Sequence, residues 1–319
     1  MQLIQPLPEI VPFGLRALKL IATVDGPLSA ASANMIAGAQ RVLLHTAIAI
    51  GDLTPITPAE LAEKLRDPEL RRQFVQGMLM LSLADGPPSA AQMALVESFA
   101  DALGVEGPEL RSLRLLADRH TVLFKLDFLR HTHLARLIQS SVRDEGLLAT
   151  AKALLGQRGL HEDPELAGRY RALERLPEGT LGHAFSAYIR GNGFSYPGEK
   201  HGFPEAGIYH DFGHVLTGYG TDAEGEIQMA AFQAGYMKQK PFFMLLFGVL
   251  TFSAGVNVTP LPQPNVGGIF AREGMAERVV RALERGSKLT IDLSDGWDHW
   301  AHVERPIDEV AAALHLEPA

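Results

Sequence analysis

The residues best suited to do chemistry in this chain are His210, Asp211, His214 and Glu226. Each residue of a helix advances about 100° around the axis, so His210 and His214, four apart, lie about 40° from each other on one face. Asp211 lies about 100° from His210, on the flank of that face. Glu226 follows His214 after eleven intervening residues. Neutral imidazoles with one or two carboxylates are a normal ligand set for a divalent cation. Nitrogen and hard oxygen donors admit zinc, iron(II), manganese or magnesium. A coordination position left to water or a substrate oxygen would let the metal polarise it. The plainer alternative is a buried His–Asp hydrogen-bond pair at a helix end.

These side chains need a helix to carry them. Residues 208–217 are apolar or aromatic wherever they are not candidate ligands. That pattern predicts a helix buried on one side and donating ligands from the other. Gly218 and Gly220 end it. Thr221-Asp222-Ala223-Glu224 reads as a capping box, so a second helix is expected at once, with Glu226 in its first turns. The short connection is expected to make the two helices neighbours, which lets Glu226 reach back to the histidines. Upstream, residues 177–179 form a loop into a helix capped by Thr180, and that helix carries His183. Glu224 and His183 are candidate proton carriers behind the metal. A packed histidine is the alternative for His183.

The rest of the chain reads as helical. Met35, Ile36, Ala39, Val42, Leu43, Thr46 and Ile50 recur at helical spacing and predict one helix over residues 28–50. Thr57-Pro58-Ala59-Glu60 is a capping box, and Asp67-Pro68-Glu69, Ser89-Ala90-Ala91-Gln92 and Asp163-Pro164-Glu165 are further helix starts. Val24-Asp25-Gly26-Pro27-Leu28-Ser29-Ala30 recurs as Ala84-Asp85-Gly86-Pro87-Pro88-Ser89-Ala90, each copy a turn followed by a serine-capped helix. The expectation is an all-α protein of two helical domains, residues 1–130 and 131–319, with 131–165 as a connecting helix. His131 and His133 are two apart, face different sides of a helix, and read as solvated or core histidines.

Four further stretches of the second half stand out. Residues 242–252 are apolar all round, which fits a central core helix or the wall of a lipid tunnel or membrane-facing surface, with Gly248 letting a chain approach the backbone. Thr259-Pro260-Leu261-Pro262-Gln263-Pro264 reads as a stiff, exposed turn. Residues 270–283 read as an amphipathic helix ended by Gly286. His299 and His302 are three apart but lack a well-placed acid, so Trp297-Asp298-His299-Trp300 reads as aromatic packing.

Composition narrows the class. Over 319 residues the net charge is −8, which argues against nucleic acid as a partner, because phosphate binding needs a basic face. There is no cysteine, which excludes disulfides, thiolate chemistry and cysteine-rich zinc modules. The start has no basic segment before an apolar run, so the chain is expected not to be secreted. The longest apolar run, residues 241–256, is short for a membrane span of about 20 residues.

Two resemblances follow from these motifs. Leu83-Ala84-Asp85-Gly86 and the helix on to Leu103-Gly104-Val105 resemble the tellurite-resistance TerB-like helical domain. Proline, serine and alanine stand where that family has acids after its Asp-Gly turns, so no metal site is carried over. Residues 165–319 resemble the ubiquinone (coenzyme Q) biosynthesis protein four family, whose signature is H-D-x-x-H, eleven residues, then E. His210, Asp211, His214 and Glu226 match it in register. So do Leu176-Pro177-Glu178-Gly179-Thr180-Leu181-Gly182 and Arg305-Pro306-Ile307-Asp308-Glu309-Val310.

This second resemblance implies an all-helical fold that binds a divalent metal, usually zinc, through those four positions. It implies a role in ubiquinone synthesis, with oxidative decarboxylation at carbon one of a polyprenylated benzoate, carboxylate being replaced by hydroxyl. The implied partners are a prenylated aromatic molecule or isoprenoid lipid, other quinone-biosynthesis proteins and a membrane surface; a homo-oligomer is a separate expectation. The implied location is cytoplasmic, peripheral on the inner membrane. A non-catalytic prenyl-lipid scaffold with a structural metal is the alternative. A metal-dependent phosphohydrolase is the third reading, because His210-Asp211 mimics the adjacent His–Asp pair of that class.

Overall fold

The structure is a computed structural model that describes residues 1, 3–132, 143, 147–258 and 267–318, with only the backbone of 147–149, 153 and 154. His133, part of the expected 131–165 connection and the turn at 259–264 lie outside the described residues. Among the described residues there are fifteen α-helices and no strand, so the fold is all-α. No described helix is long and apolar enough to cross a membrane.

The chain forms two compact units, one of Met1–Thr132, Asp222–Gly235 and Lys240–Ser287, the other of His133–Thr221, Tyr236–Gln239 and Lys288–Ala319. The first break falls close to residue 130. Beyond it the units are not contiguous in sequence, since two later segments belong with the amino-terminal helices.

In the first unit, local chemistry starts the helices where the capping residues stand. Ser29, Asp67 and Ser89 accept the backbone N–H three residues on, and Thr57 and Ser89 complete reciprocal capping boxes with Glu60 and Gln92. The two repeat copies touch, because the Ser29 hydroxyl donates to the Asp85 carboxylate at 2.7 Å. The helix expected over 28–50 is shorter, running Ala30–Ala39 with a π turn at Gln40–Leu44. The reason is Gln40. Its buried side-chain amide accepts from Ile48 N at 2.8 Å and donates to Ile48 O at 3.2 Å, drawing the chain out of the helix.

Three close crossings hold the helix Ala223–Tyr236 in this unit. A Cβ added at Gly286 would lie 2.0 Å from the Phe232 carbonyl oxygen, and one at Gly235 would lie 2.5 Å from that of Leu283. The helix Met275–Ser287 therefore crosses it backbone to backbone. Gly286 sits inside that helix as the crossing point and does not end it as expected. On the other side, a Cβ at Gly248 would lie 2.4 Å from the Ala230 Cβ. Gly248 thus serves helix packing against Ala230, which corrects the expectation of a lipid chain at that backbone. The helix Pro241–Phe252 is buried on nearly every face and is a core helix. Its Phe243 ring meets Phe128 and His131, and His131 also takes a contact from Lys240 Nζ at 3.1 Å.

The second unit has an aromatic core of Tyr170, Phe185, Tyr196 and Phe212. Asp163 caps Pro164–Ala172 and Thr180 caps Leu181–Gly191, as their positions predict. The segments 176–182 and 305–310 come together: Leu181 N donates to Arg305 O at 2.9 Å and Ile307 N to Gly179 O at 2.9 Å. This clamps the start of Leu181–Gly191, whose Phe185 stacks on Phe212 at 4.3 Å and so seats the helix Tyr209–Thr217.

Candidate metal centre

Tyr209–Thr217 forms because one side of it is apolar and buried. Phe212 is fully enclosed, with Phe185, His299 and Trp297 around its ring. The helix stops at Gly218, whose φ of +74° is the left-handed conformation glycine adopts without strain, and whose N–H returns to His214 O at 2.8 Å. That stop aims the next carbonyl at the site. His214 Nδ1 lies 3.0 Å from Tyr219 O, and a carbonyl only accepts, so Nδ1 carries the proton. His214 Nε2 is then the acceptor nitrogen of the ring. It lies 3.1 Å from His210 Nε2, with the rings at 80°. Two imidazole nitrogens on one tetrahedral zinc, at bond lengths of about 2.0–2.1 Å, lie roughly 3.3 Å apart. The pair is therefore set close to chelating geometry by the helix alone. His214 is buried and His210 half-buried.

Glu226 stands in the first turns of Ala223–Tyr236, as expected. Its cap is one residue later than the sequence pattern suggested. Asp222, not Thr221, accepts from Gly225 N at 2.8 Å, and Asp222 O takes the Glu226 N–H. Thr221 instead donates to Asn192 at 3.2 Å. One ligand atom from each of His210, His214 and Glu226 lies within 4.8 Å of the others. The donor set of two neutral nitrogens and one carboxylate oxygen fits a divalent cation.

Asp211 is not part of that trio. Its carboxylate accepts from Tyr188 Oη at 3.5 Å, and the Tyr188 ring stacks on His214 at 5.7 Å. Asp211 therefore lies on the flank of the histidine face, as the 100° rotation requires. Glu224 is engaged elsewhere. Arg272 and Arg278 each donate to one of its oxygens, and two residues of helix turn it about 200° from Glu226, so the role of proton carrier does not suit it. His183 is half-buried in the first turn of its helix, where its N–H caps onto Thr180 Oγ1.

Pattern reading missed two participants. The Tyr219 carbonyl is a backbone group and leaves no trace in residue type. Tyr188 lies on another helix, although its spacing from Thr180 could have placed it on the same face as Leu181 and Phe185. A further polar cluster was read as aromatic packing, and it is both. His299 Nε2 lies 2.9 Å from Tyr170 Oη, which donates to Glu205 at 3.0 Å, and Trp300 Nε1 donates to the same oxygen at 3.0 Å. Burial pushes the Tyr170 hydroxyl well above the ordinary tyrosine range and holds His299 below the ordinary histidine value. Arg169 covers Trp300 at 4.3 Å.

Neither the protein-family models nor the curated proteins yield a match to this chain.

Proposed function

We propose that this chain is a metal-dependent protein of quinone biosynthesis. It holds one divalent cation, zinc first, on His210, His214 and Glu226, with Asp211 beside them, and acts on a polyprenylated aromatic acid. The observation that carries the metal is the gathering of three donors within 4.8 Å by residues that also complete H-D-x-x-H, eleven residues, then E. The pathway rests on that signature and on its flanks at 176–182 and 305–310. When bound, the metal supplies Lewis-acid polarisation of a carboxylate or phenol oxygen.

The chain's own residues do the rest. Tyr219 O holds the His214 ring in one tautomer. Tyr188 supports His214 by stacking and Asp211 by its hydroxyl. The enzymatic reading requires one coordination position open to water or substrate, as in catalytic zinc sites, whereas a structural site closes with four protein ligands. Association with other quinone-biosynthesis proteins, assembly as a homo-oligomer and peripheral attachment to the inner membrane belong to the same reading.

The test is genetic complementation. In a bacterial strain lacking its own ubiquinone protein four homologue, the wild-type chain restores quinone and Glu226→Ala does not. Full restoration by Glu226→Ala would overturn the enzymatic reading.

A further inference from the structure

The first unit contains a cavity of about 160 Å³ that the metal chemistry does not use. Five helices wall it, Leu18 coming from Val11–Thr23. Met35 comes from Ala30–Ala39, Gly77 and Met80 from Pro68–Ser82, Leu245 from Pro241–Phe252 and Val280 from Met275–Ser287. The space opens to solvent on one side, where Gly77 is exposed and Met35, Gln76 and Met80 are half-buried.

Its lining is nearly all apolar and includes no charged side chain. The polar side chains are Gln73 and Gln76. Gln73 is already committed: it accepts from Ile4 N at 2.8 Å and donates to Ile4 O at 2.7 Å. This paired amide contact straps the start of the chain over the cavity, where Met1 and Leu3 join the lining. Three of the chain's nine methionines, Met1, Met35 and Met80, face the space. Methionine adapts its shape to what it packs on, so the wall is soft.

Gly77 is the informative residue. It sits inside a helix, where glycine is unfavourable, and a Cβ added there meets no atom within 4 Å. Gly77 is exposed at the edge of the cavity, and without a side chain it leaves that part of the mouth uncovered.

We propose that this cavity binds a compact, uncharged apolar group with the bulk of one substituted aromatic ring. Apolar cavities of about 150 Å³ stay dry and take up benzene. No side chain here would pair with a charge, so any polar head must remain at the mouth. The group could be a free small molecule or the end of a longer hydrocarbon chain, and both present the same chemistry to the wall.

The test uses the full chain, titrated with n-butylbenzene and separately with farnesol, and follows thermal unfolding and calorimetric binding. The expected result is a saturable rise in Tm with one n-butylbenzene per chain. Gly77→Leu fills the space and abolishes the rise, while Gly77→Ala keeps it and raises the basal Tm. Tighter binding of farnesol than of n-butylbenzene assigns the group to a longer chain; weaker binding assigns it to a free small molecule. No saturable shift with either compound, or an unchanged shift in Gly77→Leu, would overturn the proposal.

Discussion

His214 presents its Nε2 to His210 at 3.1 Å because its Nδ1 is tied to the Tyr219 carbonyl at 3.0 Å. A left-handed glycine after the helix therefore determines which nitrogen of a histidine faces the neighbouring imidazole. Gly218→Ala strains that turn and moves the carbonyl, costing about 1 kcal/mol of stability. It should also weaken metal binding, which competition with a chromogenic chelator measures.

Tyr188 supports the same ring from its side. Tyr188→Phe keeps the stack and removes the hydroxyl that donates to Asp211. Groups of this kind typically change metal affinity by 10–100-fold, and a loss of about tenfold is expected here. Affinity equal to wild type would show that Asp211 needs no such partner.

The two glutamates near the start of Ala223–Tyr236 should behave differently. Glu226→Gln empties the site. Glu224→Gln leaves metal content unchanged, because Glu224 serves Arg272 and Arg278. Those are partly exposed pairs, and losing them costs about 0–1 kcal/mol. Metal analysis of both purified variants separates the roles.

The glycine crossing that holds Glu226's helix makes its own prediction. Gly286→Ala forces a methyl to within 2.0 Å of a backbone carbonyl oxygen and should cost about 1–3 kcal/mol in urea unfolding. Gly168→Ala, in a helix with open space above it, should instead stabilise by about 0.5–1 kcal/mol. Equal effects would mean the crossing is looser than described.

His299 gives the second unit a pH dependence. Burial holds its pKa below the ordinary 6.5, against the opposing pull of Glu205 and Asp298, with Arg169 adding to the depression. The unfolded chain then binds a proton more readily than the folded one. The stability it contributes is full above about pH 6.5 and is lost as pH falls through the depressed folded value. Tm should drop on acidification across that window, and His299→Gln should flatten the drop.

Much of this was legible in the residues themselves. Ser29, Thr57, Asp67, Ser89, Asp163 and Thr180 stand as caps where their side chains suggest, because capping is decided within four residues. The shared face of His210 and His214 follows from helix geometry in the same way. What escaped depends on contacts distant in sequence or on backbone atoms. Gln40 breaks its helix through a loop that it also grips. Gly248 meets Ala230 rather than a lipid. Glu224 is drawn off by Arg272 and Arg278, which lie about fifty residues away. The Tyr219 carbonyl could be anticipated only once Gly218 was known to turn the chain back.

The central claim is that His210, His214 and Glu226 bind a metal together. Elemental analysis of the purified chain, after exhaustive dialysis, tests it most directly. The account predicts about one divalent metal per chain in the wild type and its loss in His214→Ala, with the fold retained by circular dichroism. A His214→Ala protein with a full metal complement would contradict it.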